Sequence, residues 1–342
     1  MDTGLEPPSY PKAINVKTAP DYNCTQLDFH QPMPRPRVRG KIIDFHCHIV
    51  AARHARTWFE TADHFGIDTF VNMMPLEEAL TLQREWGHRM LLIAVPSWLQ
   101  QVDDPMGDWL HRIDAFYNLG SRIVKFHFAP ESMRRRGWRF DSPEVDAVIR
   151  AVVGRGMGIM THMGDPDSWY AGKYADASVY GTRQDHYQQW ETVMSRWPAV
   201  PWVGAHMGGH PEDLAHLQRL LDAHPSLHLD CSATKWVSRS LSDHHDNARA
   251  FFLRNQDRIL FGSDQVSSDD RGFDFLASRF WVQRTMWETD YVGPSPIRDA
   301  DAPGGVTTLR GLALPDDVLQ KLYHNNAVNY LREVGVKTDW LE

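Results

Sequence analysis

Two histidines separated by one residue, His46 and His48, close a short apolar segment that begins at Lys41. Side chains alternate between the two faces of a β-strand, so these imidazoles would lie on one face, about 6.6 Å apart along the strand. Because a Zn–N bond is only about 2.0–2.1 Å long, both rings can reach a single metal ion. Asp44 has the same parity and could orient the pair, whereas Cys47 points the other way and is expected to pack in the core.

Three apolar segments further along the chain end in side chains that can bind a metal or move a proton. They end at His162, at His206 and at Asp264. Taken alone, each histidine fits an ordinary hydrogen-bonded residue, and the aspartate of Gly-Ser-Asp also fits a helix N-cap. If the segments are parallel strands of one barrel, their C-terminal ends meet on one face, where four histidines and one aspartate come together. Such nitrogen and oxygen ligands suit Zn²⁺ or another divalent transition ion.

Apolar segments alternate with polar helical segments from residue 41 onwards, and these elements would position the side chains. Eight strands are predicted at 42–46, 69–73, 91–95, 122–128, 158–162, 202–206, 227–231 and 258–261. Helical spacing between them covers 76–86, 109–117, 144–155, 184–196, 211–223 and 248–254. Strands alternating with helices imply right-handed crossovers and a parallel sheet, and eight such units favour closure. The predicted fold class is α/β, a distorted (β/α)8 TIM barrel, and no glycine-rich dinucleotide-binding turn follows the first strand.

The predicted barrel domain spans residues 40–342, including C-terminal helices, and an N-terminal arm precedes it. Residues 1–39 contain seven prolines and little periodicity. We predict an extended arm that lies over a neighbouring surface or a partner subunit, and partial disorder fits the composition equally well. After the eighth strand, the aromatic-rich segment 273–291 has helical spacing and would either cover the site or pack on the barrel. A loop at 292–305 and helices at 315–323 and 325–333 complete the chain.

The composition narrows the classes of function. The 342 residues are 42% hydrophobic, enough for a large core, and carry a formal net charge of −8. This acidic balance gives no reason to expect nucleic acid or an anionic membrane as a partner. No apolar stretch approaches a membrane span and no signal peptide is visible, so a cytoplasmic protein is expected. Cys24, Cys47 and Cys231 are scattered and odd in number, and are expected to be reduced thiols.

Six motifs together resemble those of the metal-dependent amidohydrolase superfamily. Within it, the chain is similar to the amidohydrolase-2 group, which includes aminocarboxymuconate-semialdehyde decarboxylase and related decarboxylases and hydrolases. The motifs follow the order and spacing of that group: IIDFHCH (42–48), VKFHF (124–128), MTHMGD (160–165), VGAHMGGH (203–210), ILFGSD (259–264) and HNNAVNYL (324–331). The proline-rich arm lies outside the resemblance.

The resemblance implies a ligand set and a base. His46, His48, His162 and Asp264 would hold one divalent metal ion, which we expect to be Zn²⁺. His206 would act beside the metal-bound water as a general base, or as an electrophilic partner for the substrate. Asp264 fits either role, ligand or base, and the sequence does not separate the two. A bound Zn²⁺ can lower the pKa of water to about 7, which makes hydroxide available at neutral pH.

Lys125 lies in the fourth strand segment, where some members of the superfamily carry a carboxylated lysine that bridges two metals. The decarboxylase-like group has a lysine followed by a histidine in this segment and is usually mononuclear. We therefore expect one metal, with Lys125 and His127 lining the mouth of the site or anchoring the substrate. A two-metal centre is the alternative.

Further substrate contacts are expected from the loops that follow the strands. Trp169 follows the fifth strand and could stack on a flat ring. Lys235, Trp236 and Arg239 follow the seventh strand and could hold a ring or a carboxylate. The arginine-rich run 134–139 is either a further carboxylate grip or a solvated loop. A small-molecule substrate that is cyclic or bears a carboxylate is therefore expected.

The expected activity is hydrolysis of an ester, lactone or amide bond by metal-activated water. The alternative enzyme is a non-oxidative decarboxylase of an aromatic or muconate-type carboxylate, in which the metal holds the carboxylate and His206 or Asp264 protonates the carbon. A barrel that only binds a ligand is disfavoured because every expected ligand position is filled. A homodimer is compatible with the arm and the aromatic-rich C-terminal segment.

Overall fold

The computed structural model describes residues 19–97 and 103–341. Nine strands form its main sheet: β1 (Ile42–His48), β2 (Ile67–Met73), β3 (Met90–Ala94), β4 (Ile123–His127), β5 (Gly158–His162), β6 (Trp202–Gly204), β7 (Leu227–Asp230), β8 (Ile259–Leu260) and β9 (Gln265–Val266). The strands are bonded in the order β8-β7-β6-β5-β4-β3-β2-β1-β9. Each of the eight predicted strand segments is found in this sheet, with ends that differ by a few residues.

The last strand of the barrel is split into two short halves, and this split strand closes the sheet. β8 pairs with β7 and β9 pairs with β1, both in parallel. Between the two halves, the amide of Phe45 donates to the carbonyl of Phe261 (2.8 Å), and the amide of Asp264 donates to the carbonyl of His46 (2.7 Å). The first strand is therefore bonded to both halves of the last, and the predicted distorted (β/α)8 TIM barrel is confirmed.

Helices connect the strands and cover the barrel. In chain order they are α1 (Ala52–His64), α2 (Leu76–Trp86), α3 (Pro105–Asn118), α4 (Pro130–Arg136), α5 (Pro143–Gly154), α6 (Asp167–Ala171), α7 (Ala177–Tyr180), α8 (Arg183–Arg196), α9 (Ala205–Gly208), α10 (Leu214–Ala223), α11 (Trp236–Asp243) and α12 (His245–Arg254). Side chains of Asp104, Ser142 and Thr182 accept amide hydrogen bonds at the starts of α3, α5 and α8. Such N-caps satisfy amide groups that a helix leaves unpaired, and so they fix where these helices begin.

The C-terminal region contains the predicted helices but not the predicted loop. Helix α13 (Phe273–Glu288) confirms most of the predicted helical segment. It is followed by β10 (Val292–Arg298) and β11 (Val306–Arg310), which pair in antiparallel fashion. The prediction of a loop at 292–305 was wrong, because a ribbon of only two strands has free edges and tolerates Pro294 and Pro296. Helices α14 (Asp316–Gln320) and α15 (Asn326–Glu333) follow, joined by one wide helical turn at Lys321–Asn325.

Large aromatic side chains fill the layer between the barrel and its helices. Trp58 of α1 is fully buried. Its ring meets Phe70 of β2 at 6.0 Å and Phe280 of α13 at 6.1 Å, both edge-on. Edge-to-face contacts of this kind add about 0.5–1.5 kcal/mol each beyond area burial. Helix α1 was not predicted from the sequence, although its buried residues have helical spacing. It packs between β2 and α13.

The described part of the N-terminal segment packs on the barrel itself. The amide of Cys24 donates to the carbonyl of Pro296 (2.7 Å), and Leu27 and Phe29 are buried in the core. Arg37 pairs with Asp316 of α14 (2.8 Å). Residues 19–39 thus lie over a surface of their own chain, whereas the rest of the predicted arm, residues 1–18, lies outside the described residues.

Two further expectations can be compared with the described residues. The cysteines Cys24, Cys47 and Cys231 are buried free thiols. Within residues 19–97 and 103–341, no helix combines the length and the apolar character needed to cross a membrane.

Candidate metal centre

Three metal-binding atoms converge at the C-terminal end of the barrel. The Nε2 atoms of His46 and His48 lie 3.3 Å and 3.2 Å from Oδ1 of Asp264. The three donor atoms lie within 4.8 Å of one another. β1 delivers both histidines from one face, as its alternation requires, and the gap between β8 and β9 delivers the aspartate. The structure therefore brings together three of the four ligands that the sequence predicted.

Asp264 reaches this position because the backbone turns sharply between β8 and β9. Its φ is +53°, a left-handed conformation that residues other than glycine adopt rarely, and mostly at functional sites. Burial would raise the pKa of Asp264, but His206, His46 and His48 outweigh it and hold this pKa well below its usual range. The carboxylate is therefore ionised at neutral pH, as a metal ligand must be.

Asp230, at the end of β7, orients the first histidine and was missed by the sequence analysis. Its Oδ2 lies 2.8 Å from Nδ1 of His46, and its side chain is fully buried. Burial would raise the pKa of Asp230, but the neighbouring His46 lowers it well below its usual range. An ionised Asp230 accepts the Nδ1 proton and leaves Nε2 of His46 as the atom that can coordinate a metal.

Asp44 does not contact the imidazoles that it was expected to orient. Its Oδ1 accepts from the amides of Ser263 (3.0 Å) and His46 (3.1 Å), and the Ser263 hydroxyl donates to its other oxygen. Burial raises the pKa of Asp44 to about 7, although these hydrogen bonds act in the opposite direction. Asp44 therefore fixes the backbone of β1 against the turn that carries Asp264. It supports the metal donors through the backbone and not through their side chains.

His206 follows β6 in a tight left-handed turn and not at the end of a straight strand. The strand stops at Gly204, and His206 and Met207 have φ values of +56° and +53°. The ring centroid of His206 lies 4.7 Å from that of His46 and 4.6 Å from that of His162. Burial lowers the pKa of His206 well below its usual range, so its imidazole is neutral at pH 7.

The tautomer of His206 follows from a short hydrogen-bonded chain. Nδ1 of His206 lies 2.7 Å from the hydroxyl of Ser232, and that hydroxyl donates to Asp230. A hydroxyl has one proton, so Ser232 must accept from the Nδ1–H of His206. Nε2 of His206 is then left without a proton, and it can accept one in the cavity.

His162 lies at the same face but is turned towards another partner. Its Nε2 is 3.0 Å from Oδ1 of Asp165, and its ring centroid is 4.5 Å from that of His127. Among the described residues, no donor atom of His162 falls within the 4.8 Å group that His46, His48 and Asp264 form. Its role as the fourth ligand therefore stays a prediction.

One cavity of about 340 Å³ opens over these side chains. It is lined by His46, His48, Met73, Val95, Pro96, Lys125, His127, Arg136, His162, His206 and Asp264. Nζ of Lys125 lies 3.5 Å from Nε2 of His46, and burial lowers the pKa of Lys125 to about 8. Arg136, the last residue of α4, donates to the carbonyl of His127 (3.0 Å). Lys125 and His127 thus line the mouth as expected, and Arg136 of the arginine-rich run joins them.

Of the other three predicted substrate contacts, Trp236 lies near the metal donors, whereas Trp169 and Arg239 do not. Trp236 meets His206 edge-on at 5.8 Å and lies at the rim of the site. The indole of Trp169 instead donates to Asp301 (3.1 Å), and neither residue lines the cavity. Arg239 is buried in an ion pair with Asp299. Its guanidinium already has a carboxylate partner, so the structure does not bring it to the metal donors.

The donors present suit a divalent metal ion. Two imidazole nitrogens and one carboxylate oxygen form the donor set of many zinc and other transition-metal sites that keep an open position. Two features support this use: Asp230 fixes the tautomer of His46, and Asp264 is ionised. His46, His48 and Asp264 would hold the ion, with His162 as a further candidate beside them.

The fold and the site define a class, a TIM-barrel protein with a centre for a divalent metal at the C-terminal end of its strands. The sequence profile of the family described as amidohydrolase matches residues 39–332. The chain therefore belongs to the amidohydrolase family, and the resemblance seen in its motifs is confirmed. No curated protein matches the sequence.

Solved structures share the fold at low sequence identity. The 5-carboxyvanillate decarboxylase of Novosphingobium aromaticivorans, with manganese and 4-hydroxy-3-methoxy-5-nitrobenzoic acid, is 11% identical with a TM-score of 0.51, over 88% of this chain and 99% of that one. The 4-oxalomesaconate hydratase of Rhodopseudomonas palustris is 13% identical with a TM-score of 0.50, over 86% and 96%. A 2,6-dihydroxybenzoate decarboxylase in complex with 2,6-dihydroxybenzoate is 12% identical with a TM-score of 0.50, over 87% of this chain and 100% of that one.

Proposed function

We propose that this protein is a metal-dependent carbon–carbon lyase that removes CO2 from a small carboxylic acid. The observation that carries the proposal is the charge of the cavity. Lys125 and Arg136 line it beside the metal donors, and Asp264 is the single carboxylate among the described lining residues. Because Asp264 is needed as a metal ligand, the two cations are left to pair with a carboxylate of the substrate.

The solved structures of similar fold are consistent with this chemistry. Two of them are decarboxylases that hold a benzoic acid derivative or 2,6-dihydroxybenzoate. Their identity to this chain is too low to transfer a substrate. The sequence-based expectation of a cyclic or carboxylate-bearing substrate therefore stays a proposal, as does the choice of Zn²⁺ over Mn²⁺. The expected homodimer also stays a prediction.

The side chains of the cavity can each perform one part of the reaction. A bound divalent ion would supply a Lewis acid that holds anionic oxygens of the substrate. Lys125 and Arg136 would pair with the carboxylate and fix its orientation. Nε2 of His206 would take a proton from an acidic group of the substrate. When the bond to the carboxylate breaks, its electron pair stays on the carbon, CO2 leaves, and His206 returns the proton to that carbon.

Hydrolysis, the activity that the sequence favoured, is the second candidate. One observation supports it: an unprotonated Nε2 of His206 and an ionised Asp264 face one cavity, and either could take a proton from an attacking water. The proton would then pass to the leaving group of an ester, lactone or amide. Both reactions need the metal and one base, so the preference for the lyase rests on the two cations that line the cavity, Lys125 and Arg136.

The product distinguishes the two candidates directly. We expect metal-loaded enzyme incubated with hydroxylated benzoates and muconate-type acids to release one CO2 for each substrate consumed. Aryl esters and lactones of similar size should stay intact under the same conditions. CO2 is measured by a coupled carboxylase assay, and acid release by a pH indicator. Acid release from a lactone or ester without any CO2 from the acids would contradict the lyase and support the hydrolase.

A further inference from the structure

A second cavity adjoins the metal centre. It has a volume of about 270 Å³ and shares Asp264 with the first cavity. Trp236 lines the second cavity and meets His206, which lines the first, edge-on at 5.8 Å. The two cavities therefore meet at Asp264, and a ligand in the second cavity lies beside the metal donors.

Three cationic side chains line this second cavity: Lys235, Arg271 and Arg279. Within the described part of the chain, none of the three forms an ion pair. A hydrogen bond from Ser268, and to a smaller extent the charge of Arg271, lowers the pKa of Asp270, but Asp270 makes no ion pair with Arg271. Burial and the nearby Arg271 both lower the pKa of Arg279. Two guanidinium groups that repel each other beside a cavity are stabilised when an anion lies between them.

The two guanidinium groups are held in place by neutral partners. Arg279 lies over the ring of Phe275 at 3.5 Å, and Arg271 lies over the same ring at 4.7 Å. Arg279 also donates to the carbonyl of Phe275 (3.1 Å) and to the hydroxyl of Ser278 (2.9 Å). Arg271 donates to the carbonyl of Val266. Stacking and one or two hydrogen bonds fix the plane of each group and leave most of its five N–H donors for a ligand.

A carboxylate fits this group of cations, because it accepts paired hydrogen bonds from guanidinium groups. Gln265 also lines the cavity. Its amide atoms are closed to solvent and do not face the cavity, so the cations alone determine which ligand fits.

We propose that the second cavity binds a distal carboxylate of the substrate, so that the protein acts on a dicarboxylic acid. Arg271 and Arg279 would bind this carboxylate, with Lys235 as a third cation that lines the same cavity. This inference rests on the proposed function, because it places the reacting end of the same molecule at the metal centre. The binding of the distal end is nevertheless measurable without turnover.

The test compares the binding of diacids and matched monoacids to metal-loaded enzyme. Isophthalate, terephthalate and glutarate are each titrated against benzoate or butyrate by calorimetry. We expect at least one diacid to bind about tenfold or more tightly than its monoacid, as an added charged hydrogen-bonding pair allows. Inorganic phosphate serves as a competitor: displacement of the diacid at low millimolar phosphate would mean that any anion suffices, which would overturn the choice of a carboxylate.

Arg279→Met and Arg271→Met show whether the gain comes from this cavity. Each variant should remove most of the diacid advantage and leave monoacid binding unchanged. Arg219→Met, which removes an exposed arginine of α10, should leave both unchanged. Thermal unfolding identifies any variant that fails to fold. If Arg279→Met fails to fold, Arg271→Met provides the test. Equal binding of every diacid and its monoacid, or a diacid advantage that survives both variants, would overturn the inference.

These outcomes are separate from those that test the proposed function. Diacid binding through Arg271 and Arg279 without release of CO2 would support the carboxylate site and contradict the lyase activity. Decarboxylation of monoacids without any preference for diacids would support the lyase activity and contradict the carboxylate site.

Discussion

Replacing Asp264 with asparagine is expected to lower turnover by about 10²–10⁴-fold, the range for loss of a group that moves a proton, with a further loss of metal. The carboxylate oxygen lies within 3.3 Å of both histidine nitrogens and is ionised. Asparagine keeps the shape of the side chain but removes the charge that binds the metal. Turnover and metal content are measured on the same preparation, with added metal in excess.

The matched control for this substitution is Asp257→Asn. Asp257 is a largely exposed carboxylate that pairs with Lys321 at 2.7 Å, and it lines neither cavity. Surface pairs of this kind contribute little, so the control should keep wild-type turnover and metal content. Retention of more than a tenth of wild-type turnover by Asp264→Asn would be incompatible with a role for this carboxylate at the metal centre.

Replacing Asp230 with asparagine is expected to weaken metal binding by about 10–100-fold, the usual cost of removing the partner of a metal-binding histidine. Asp230 holds Nδ1 of His46 at 2.8 Å and accepts the amide of His206 at 2.8 Å. Asparagine can present an N–H to Nδ1, which favours the tautomer with its proton on Nε2 and blocks coordination. Metal affinity is measured by competition with a chelator of known strength.

Ser232→Ala separates this effect from a general loss of packing. The serine hydroxyl lies in the same hydrogen-bonded chain, between His206 and Asp230, but its removal leaves the bond from Asp230 to His46 in place. The Ser232 hydroxyl also lies 3.1 Å from Nδ1 of His46, but the charged partner of that nitrogen, Asp230, remains. We therefore expect Ser232→Ala to lose clearly less metal affinity than Asp230→Asn, because a neutral hydrogen bond contributes less than one to a charged group. Equal loss of affinity in both variants would show that the buried cluster matters only as a whole.

The sequence predicted the barrel because its signals are local and repeated. Each strand segment is an apolar run of four to seven residues, and polar helical spacing separates one run from the next. Two of the ligands, His46 and His48, could be assigned to one face from strand parity alone. The third, Asp264, required the additional inference that the first and last strands are neighbours, which the bonds between β1 and the split last strand confirm.

The side chains that orient the ligands could not be read from strand parity. Asp230 and Asp44 are both aspartates near strand ends, yet one bonds an imidazole and the other bonds a backbone turn. The choice depends on which carboxylate the closed barrel places within 3 Å of Nδ1 of His46, a distance between residues far apart in sequence. The left-handed turns at His206 and Asp264 were missed for a related reason, because neither position carries a glycine that would signal positive φ.

The loop residues gave the least reliable expectations. Trp169 and Arg239 have the right chemistry for substrate contacts, but Asp301 and Asp299 already bind them. Arg271, just before α13, and Arg279, within it, were not predicted as binding residues, because the sequence does not show which arginines lack an acidic partner. Pairing between distant residues decides which charged side chains remain to bind a ligand, and only the folded structure shows it.

Metal content per chain tests the central claim most directly, since the account places one divalent ion on His46, His48 and Asp264. Enzyme stripped with a chelator, reloaded with Zn²⁺ or Mn²⁺ and freed of excess metal is analysed by mass spectrometry, beside the folded double variant His46→Ala/His48→Ala. The account predicts one equivalent for the wild type and close to none for the double variant. Two equivalents in the wild type, or one equivalent that persists in the double variant, would contradict it.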